Sequence, residues 1–242
     1  MVMATNLNGR TVVILGGSSG IGLATAKAAH AERAVVVITG RSRERLDAAV
    51  RELGEDARAV VLDAADEAGT RTMFEKIDRV DHIFANAGGV TSDAALTVDT
   101  AAMRPILDVR FWGAVYAAKY GGKRMTDGGS ITFMSGTTTV RPIPGAAIGS
   151  ASCAAVEGLA RSLAVDLTPI RVNAIRPGLI DTPLIDSFMG ERKAQIVESY
   201  VRRIPARRMG RAEEVADAIL FLMKNGYVTG TALIIDGGIA LV

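Results

Sequence analysis

Gly16, Gly20 and Gly22 stand at the spacing G-x-x-x-G-x-G directly after the apolar run Val12-Val13-Ile14-Leu15. A glycine turn between a strand and a helix lets the backbone approach a pyrophosphate, and the first helical turn offers unpaired N–H groups with partial positive charge. Ser18, Ser19 and Ile21 complete the turn, and the two serine hydroxyls can add hydrogen bonds. A glycine turn with no ligand would carry the same letters. The strand before it, the helix after it and the alternation downstream favour a dinucleotide. A carboxylate about twenty residues further on would mark a free ribose 2′-hydroxyl. This chain has Thr39-Gly40-Arg41-Ser42-Arg43 there. Like charges opening a helix are unfavourable unless an anion neutralises them, and a guanidinium fork suits phosphate. The expected cofactor is therefore NADP(H) rather than NAD, against the alternative that Arg41 and Arg43 are merely solvated.

Such a cradle needs a sheet edge behind it. Short β-branched runs are expected as strands near 11–15, 34–38, 59–62, 82–85, 130–134, 171–174 and 232–235. Ala-rich segments near 21–31, 43–53, 67–76, 101–120, 150–167 and 212–223 are expected as helices between them. This βαβ alternation predicts one α/β domain with a doubly wound, seven-stranded parallel sheet of Rossmann type and right-handed crossovers. Residues 177–209 interrupt the alternation after a strand end, and 179–209 are expected to form a substrate flap.

Composition excludes several classes. The chain has 242 residues, a net charge of +2 and 49% apolar residues, which suits a sheet covered on both faces. No dense Lys/Arg run suggests nucleic acid. Cys153 is the only cysteine, so neither an internal disulfide nor a thiolate zinc site is available. The apolar runs are too short for a bilayer, and Met1 to Arg10 lack the pattern of a signal peptide. A cytoplasmic protein acting on a small molecule, with no nucleic acid, membrane or metal partner, is expected.

Several further segments carry a resemblance to the short-chain dehydrogenase/reductase family over almost the whole chain. Leu15 through Gly22 is similar to its Thr-Gly-x-x-x-Gly-Ile-Gly motif, with Leu15 in place of Thr. Asp63, followed by Ala64, matches the adenine-contacting Asp. Ala85-Asn86-Ala87-Gly88 resembles the Asn-Asn-Ala-Gly segment, with Ala85 in place of the first Asn. Arg176-Pro177-Gly178-Leu179-Ile180-Asp181-Thr182 resembles the segment whose backbone and Thr hold the nicotinamide carboxamide. Residues 211–216 and 229–238 resemble the C-terminal signature. The resemblance implies hydride transfer with a nicotinamide cofactor and commonly a homotetramer. The Ala-rich helices expected at 101–120 and 150–167, apolar nearly all round, are consistent with faces buried against another subunit.

The family's chemistry uses an Asn, a Ser, a Tyr and a Lys. A carbonyl that accepts hydride needs a proton, and a nearby Lys lowers the Tyr pKa from about 10. Matching the flanks puts Arg110 at the Asn position, Gly136 at the Ser position, Gly149 at the Tyr position and Cys153 at the Lys position. All four depart, so none of the family's catalytic residues carries over. Tyr116 and Tyr120 come after Arg110 on one expected helix, but at roughly 100° per residue they point about 120° and 80° from its face. They are expected in the core or an interface, Cys153 as a small buried helix residue, and His82 as structural.

Arg110 and Ser135 are the remaining catalytic candidates. Arg110 stays protonated, so it cannot be the acid, but it could bind a carboxylate or stabilise a developing anion. The plain alternative is that it pairs with a neighbouring Asp or Glu, or simply stacks in the space left by the missing Tyr. Ser135, beside Thr137 and Thr138 at a strand's C-terminal end, could donate a hydrogen bond. The expected function is hydride transfer from NADPH to an iminium, or to a carbonyl that brings its own proton. A non-catalytic NADP(H)-binding sensor or scaffold is the alternative. A cofactor-independent lyase or cyclase fits poorly, since it has no use for Arg41. Substrate choice is expected to depend on residues 89–97 and on the flap, which reads apolar around Leu184, Ile185, Phe188 and Met189.

Overall fold

The computed structural model describes residues 6–54, 56–89, 98–190 and 193–242, without the side chains of Phe188 and Lys193. The strands are β1 (Thr11–Leu15), β2 (Val35–Gly40), β3 (Arg58–Val61), β4 (Val80–Ala85), β5 (Met125–Met134), β6 (Arg171–Pro177), β7 (Ile180–Asp181), β8 (Gly210–Arg211) and β9 (Ala232–Ile235). Seven of them form a parallel sheet in the order β3-β2-β1-β4-β5-β6-β9, while β7 and β8 pair separately. The strand order reverses between β1 and β4, which opens a crevice at the C-terminal ends where ligands bind in such sheets.

The two-residue period of the strands divides the core. Val12 and Ile14 pack with Ala26, Phe84, Val215 and Ile219 on one face. Val13 and Leu15 pack with Phe74, Ile83, Phe133 and Val156 on the other. The helices that cover these faces are α1 (Gly20–Ala31), α2 (Arg43–Leu53), α3 (Glu67–Glu75), α4 (Thr100–Leu107), α5 (Gly113–Tyr116) and α6 (Ala147–Asp166). After them come α7 (Pro183–Met189), α8 (Lys193–Val201) and α9 (Ala212–Lys224). Ser42 and Asp66 cap α2 and α3 by accepting from Arg45 N and Gly69 N.

One helix departs from the regular form expected of it. The segment from Thr100 to Gly121 is broken by widened, π-type turns at Asp108–Trp112 and Ala117–Gly121. Each such turn takes in an extra residue and rotates the remainder of the helix by roughly 100°. The regular-helix angles for Tyr116 and Tyr120 therefore do not apply. Tyr116 stacks on Trp112, with ring centroids 6.2 Å apart, and Tyr120 donates to Glu67 Oε1 at 2.7 Å. The flap contains β7, α7 and α8 rather than a bare loop. Within it Met189 is buried and Leu184 is exposed.

The sheet also buries charge. Asp81 accepts from Arg10 Nη1 and Arg79 Nη2, both at 2.7 Å, from Thr11 N at 2.9 Å and from Thr126 Oγ1 at 3.1 Å. Burial alone would raise its carboxyl, but these donors outweigh burial and hold it at about 2. Next to it, His82 Nδ1 lies 2.9 Å from Ser130 Oγ. Burial, reinforced by the charge of Arg171, pushes His82 down to about 4. Arg171 donates to Leu222 O and Met223 O at the C-terminal end of α9, where cations are favoured.

Residues 1–5 and 90–97 lie outside the described residues, and with them parts of the expectations for the N-terminus and the 89–97 loop. Among the described residues no helix is long and apolar enough to cross a membrane.

Candidate functional site

The glycine turn leaves the C-terminal end of β1 and enters α1 at the strand-order reversal. Gly16 and Gly20 have φ of 82° and 53°, a region that only glycine enters freely. Gly16 N and Gly17 N donate to Thr39 O at 3.1 and 2.9 Å, which ties the turn to β2. A Cβ on Gly22 would lie 2.0 Å from Gly16 O, so the helix start is pressed on the turn. Asn86 Nδ2 donates to the same Gly16 O at 2.9 Å. A Cβ on Gly16 would meet Ala87 N at 3.3 Å. Ser19 caps α1 without a side-chain hydrogen bond, so its hydroxyl and the first N–H groups are not spent on each other. These are the features a pyrophosphate cradle requires: close backbone approach, two left-handed glycines and an open helix N-terminus. A dinucleotide fits.

The other expected cofactor residues surround this cradle. Arg41 comes directly after β2 and is exposed, with no ion pair among the described residues, whereas Arg43 lies 3.9 Å from Asp47. Ser18 borders Gly40, where a Cβ would be 3.0 Å from its Oγ. Asp63 Oδ1 accepts from Ala65 N at 3.0 Å, and Ala64 is buried beside it. Gly178 N donates to Ile235 O at 3.0 Å, and a Cβ there would lie 2.8 Å from Asp236 Cα. Pro177 ends β6, and Ile180 is buried. Thr182 precedes Pro183 at the start of α7, and its side chain is 3.4 Å from the Cβ position of Gly20. The Pro177–Thr182 segment and the cradle thus share one crevice.

Arg110 lies in the first widened turn, facing α6. Its Nη1 donates to Ser152 Oγ at 2.9 Å, Cys153 Sγ at 3.1 Å and Gly149 O at 3.4 Å. Its Nη2 donates to Gly89 O at 2.9 Å, and its buried Nε has no partner. The guanidinium lies against Gly88, where a Cβ would be 2.8 Å from Nη2. Every acceptor it uses among the described residues is neutral, so no ion pair forms there, and the guanidinium occupies the space beside Gly149. Its charge rests beside Cys153.

Ser135 is buried and committed elsewhere. Its hydroxyl donates to Glu157 Oε1 at 2.6 Å. Glu157 also accepts from Thr139 Oγ1 at 3.2 Å and from Arg176 Nε and Nη2 at 2.9 and 2.5 Å. Burial alone would raise the Glu157 carboxyl, but the Arg176 and Ser135 hydrogen bonds hold it below its ordinary value. Burial pushes the Cys153 thiol up despite the nearby Arg110, so it remains a neutral thiol. A Cβ on Gly136 would meet Sγ of Cys153 at 3.6 Å. Sequence reasoning missed the Glu157–Arg176 pair. Its one signal was an acidic residue one turn after Cys153 on a helix otherwise poor in charge. Among the described residues no group of three His, Cys, Asp or Glu could hold a metal.

The family model described as enoyl-(acyl carrier protein) reductase matches residues 16–240. Carbonyl reductase family member 4 of Danio rerio is 32% identical over 240 residues, covering 96% of this chain and 98% of its own. The NADP-dependent (R)-specific alcohol dehydrogenase of Lentilactobacillus kefiri is 31% identical over 251 residues and 98% of each chain. The structure of the MalC reductase/Diels-Alderase from Malbranchea aurantiaca superposes with a TM-score of 0.91 at 29% identity, over 98% of both chains. Fold, cradle and full-length similarity agree: the chain belongs to the short-chain dehydrogenase/reductase family of nicotinamide-dependent oxidoreductases.

Proposed function

We propose that this protein is an NADP(H)-dependent oxidoreductase whose hydride acceptor needs no proton from the protein. A bound reduced nicotinamide supplies the hydride. The observation that carries the reading is the guanidinium of Arg110, seated against Gly149 and Cys153 with only neutral acceptors among the described residues. An arginine does not release its proton at neutral pH, and the Cys153 thiol is raised by burial. The pocket thus offers fixed positive charge without an acid. That suits a carbonyl whose own acidic group provides the proton; an iminium, which hydride neutralises without a proton, suits it when the same molecule carries an anionic group to meet Arg110. Arg110 holds an anionic group of the substrate or the charge that develops on it. Ser135 acts through Glu157 rather than on the substrate.

For the cofactor, N–H groups at Ser19, Gly20 and Ile21 hold the pyrophosphate, with Ser18 and Gly22 shaping the turn. Asp63 and Ala64 border the adenine, Asn86, Ala87 and Gly88 line the crevice, and Pro177, Gly178, Ile180 and Thr182 hold the carboxamide. Arg41, exposed and unpaired among the described residues, takes the 2′-phosphate. Arg41→Ala is expected to weaken NADPH binding about tenfold, the scale of one charged hydrogen bond, and to leave NADH binding unchanged. Titration of nicotinamide fluorescence reads both.

The MalC relative is named both a reductase and a Diels-Alderase, which supports a pocket of this fold serving more than one kind of chemistry. The exposed Trp112 and Val165 on the α4–α5 segment and α6 support burial of those faces in a homo-oligomer, with the protein acting in the cytoplasm. NADPH consumption with cyclic iminium ions, ketones and activated alkenes tests the function. Oxidation in the presence of iminium ions supports it. NADPH binding with no turnover in any class establishes the non-catalytic sensor instead, and absence of binding refutes both.

A further inference from the structure

We infer that Glu157 is a positioning residue that fixes the nicotinamide-facing segment Pro177–Gly178 through Arg176, an inference that rests on the NADP(H) reading above. Glu157 lies on α6, one turn after Cys153, and is 6% exposed. It gathers donors from three other segments: Ser135 at the end of β5, Thr139 in the turn after it, and Arg176 in β6. Arg176 grips it with two nitrogens, a bidentate geometry that fixes direction as well as distance.

Arg176 directly precedes Pro177 and Gly178. On one side Ser135 N donates to Ile175 O at 2.8 Å. On the other, Gly178 is held by Ile235 and pressed on Asp236. Thr139 Oγ1 lies 3.2 Å from Glu157 Oε1 and 3.1 Å from Gly136 O, and its single proton is shared between these two acceptors. One carboxylate therefore sets the spacing between the pocket floor at Gly136 and the segment at Pro177–Gly178. A buried ion pair is a weak source of stability, because well-packed apolar residues often do as well. Its use here is registry. With neither Tyr nor Lys at 149 and 153, no side chain at those two positions reaches across to order that wall.

Two probes separate positioning from general damage. NADPH touches the whole crevice, whereas 2′,5′-ADP lacks the nicotinamide and reports only the cradle and the 2′-phosphate site. Glu157→Gln removes the charge at nearly constant shape. It is expected to raise the NADPH dissociation constant about tenfold and to leave that of 2′,5′-ADP unchanged, since a charged pair within one network carries this scale of coupling. Glu157→Gln with Arg176→Gln is expected to be no weaker than Glu157→Gln alone, because the pair acts as one unit. If Glu157→Gln does not fold, Arg176→Lys, which keeps the charge and loses the fork, is expected to show the same selective loss. Equal weakening of both probes, or no weakening of NADPH, overturns the clamp. Wild-type protein that binds neither probe refutes the cofactor reading itself and the clamp with it. Wild-type binding of both, with NADPH unchanged in the variants, refutes the clamp alone.

Discussion

Arg110→Met lowers kcat/KM for the hydride acceptor by about 10²–10³-fold and moves the NADPH dissociation constant by no more than about threefold, the signature of a charge that acts on the reacting group. The variant keeps an unbranched apolar stem and loses the guanidinium, with its charge, its donors and the atoms that pack on Gly88. Arg110→Lys rescues little, because one ammonium cannot serve Ser152, Cys153, Gly149 and Gly89 from the positions the fork occupies. Steady-state kinetics of NADPH oxidation with a carbonyl or iminium substrate that carries a carboxylate read both variants. Equal activity of Arg110→Met and wild type would remove the arginine from the mechanism.

The same geometry governs an attempt to restore a phenol-based centre. Gly149→Tyr with Cys153→Lys alone places a second cation against Arg110, whose Nη1 is 3.1 Å from Cys153 Sγ. Like charges at that distance disfavour each other. Carbonyl reduction is therefore expected to stay at background in this double variant and to rise when Arg110→Asn is added. Ketone-dependent loss of NADPH absorbance compares the two.

Acidification from pH 6.5 to 4 is expected to remove about 3 kcal/mol of stability through His82 alone, at about 1.36 kcal/mol for each pH unit separating its folded and unfolded values. The folded pKa lies below the unfolded one, so the unfolded chain binds the proton first. Stability is full above about pH 6.5, declines as pH falls, and stops declining through this group near pH 4. Below that, Asp81 takes over. Its folded value of about 2 lies under the ordinary 3.8, so its contribution is present at higher pH and is lost as pH falls toward 2. Urea unfolding at a series of pH values measures both slopes. His82→Gln is expected to flatten the upper slope and leave the lower one. An unchanged upper slope would mean that another group carries it.

Much of the fold was legible because local chemistry and tertiary structure agree. α2 is bounded by its own signals, Ser42 at the cap and Gly54 after Leu53, and it spans the residues the sequence suggested. The parallel sheet arises from alternation, since β-branched runs separated by amphipathic helices pack in few other ways. The widened turns around Arg110 were not legible. A π-type turn depends on long-range packing, and only Pro105 hints that the helix is irregular. Ser135 was placed correctly at a strand end, yet the direction of its hydroxyl was set by Glu157, 22 residues away. Glu157 itself went unread because an acidic residue on a helix usually faces water, and its partner Arg176 comes from another strand.

The contact between Gly88 and Arg110 also makes position 88 a control point for the guanidinium. The guanidinium lies where any larger residue at 88 would place its first carbon. Those atoms are the far end of a flexible side chain, so a methyl group at 88 is met by the fork swinging aside rather than by backbone movement. Gly88→Ala thus re-aims the cation without removing it from the molecule.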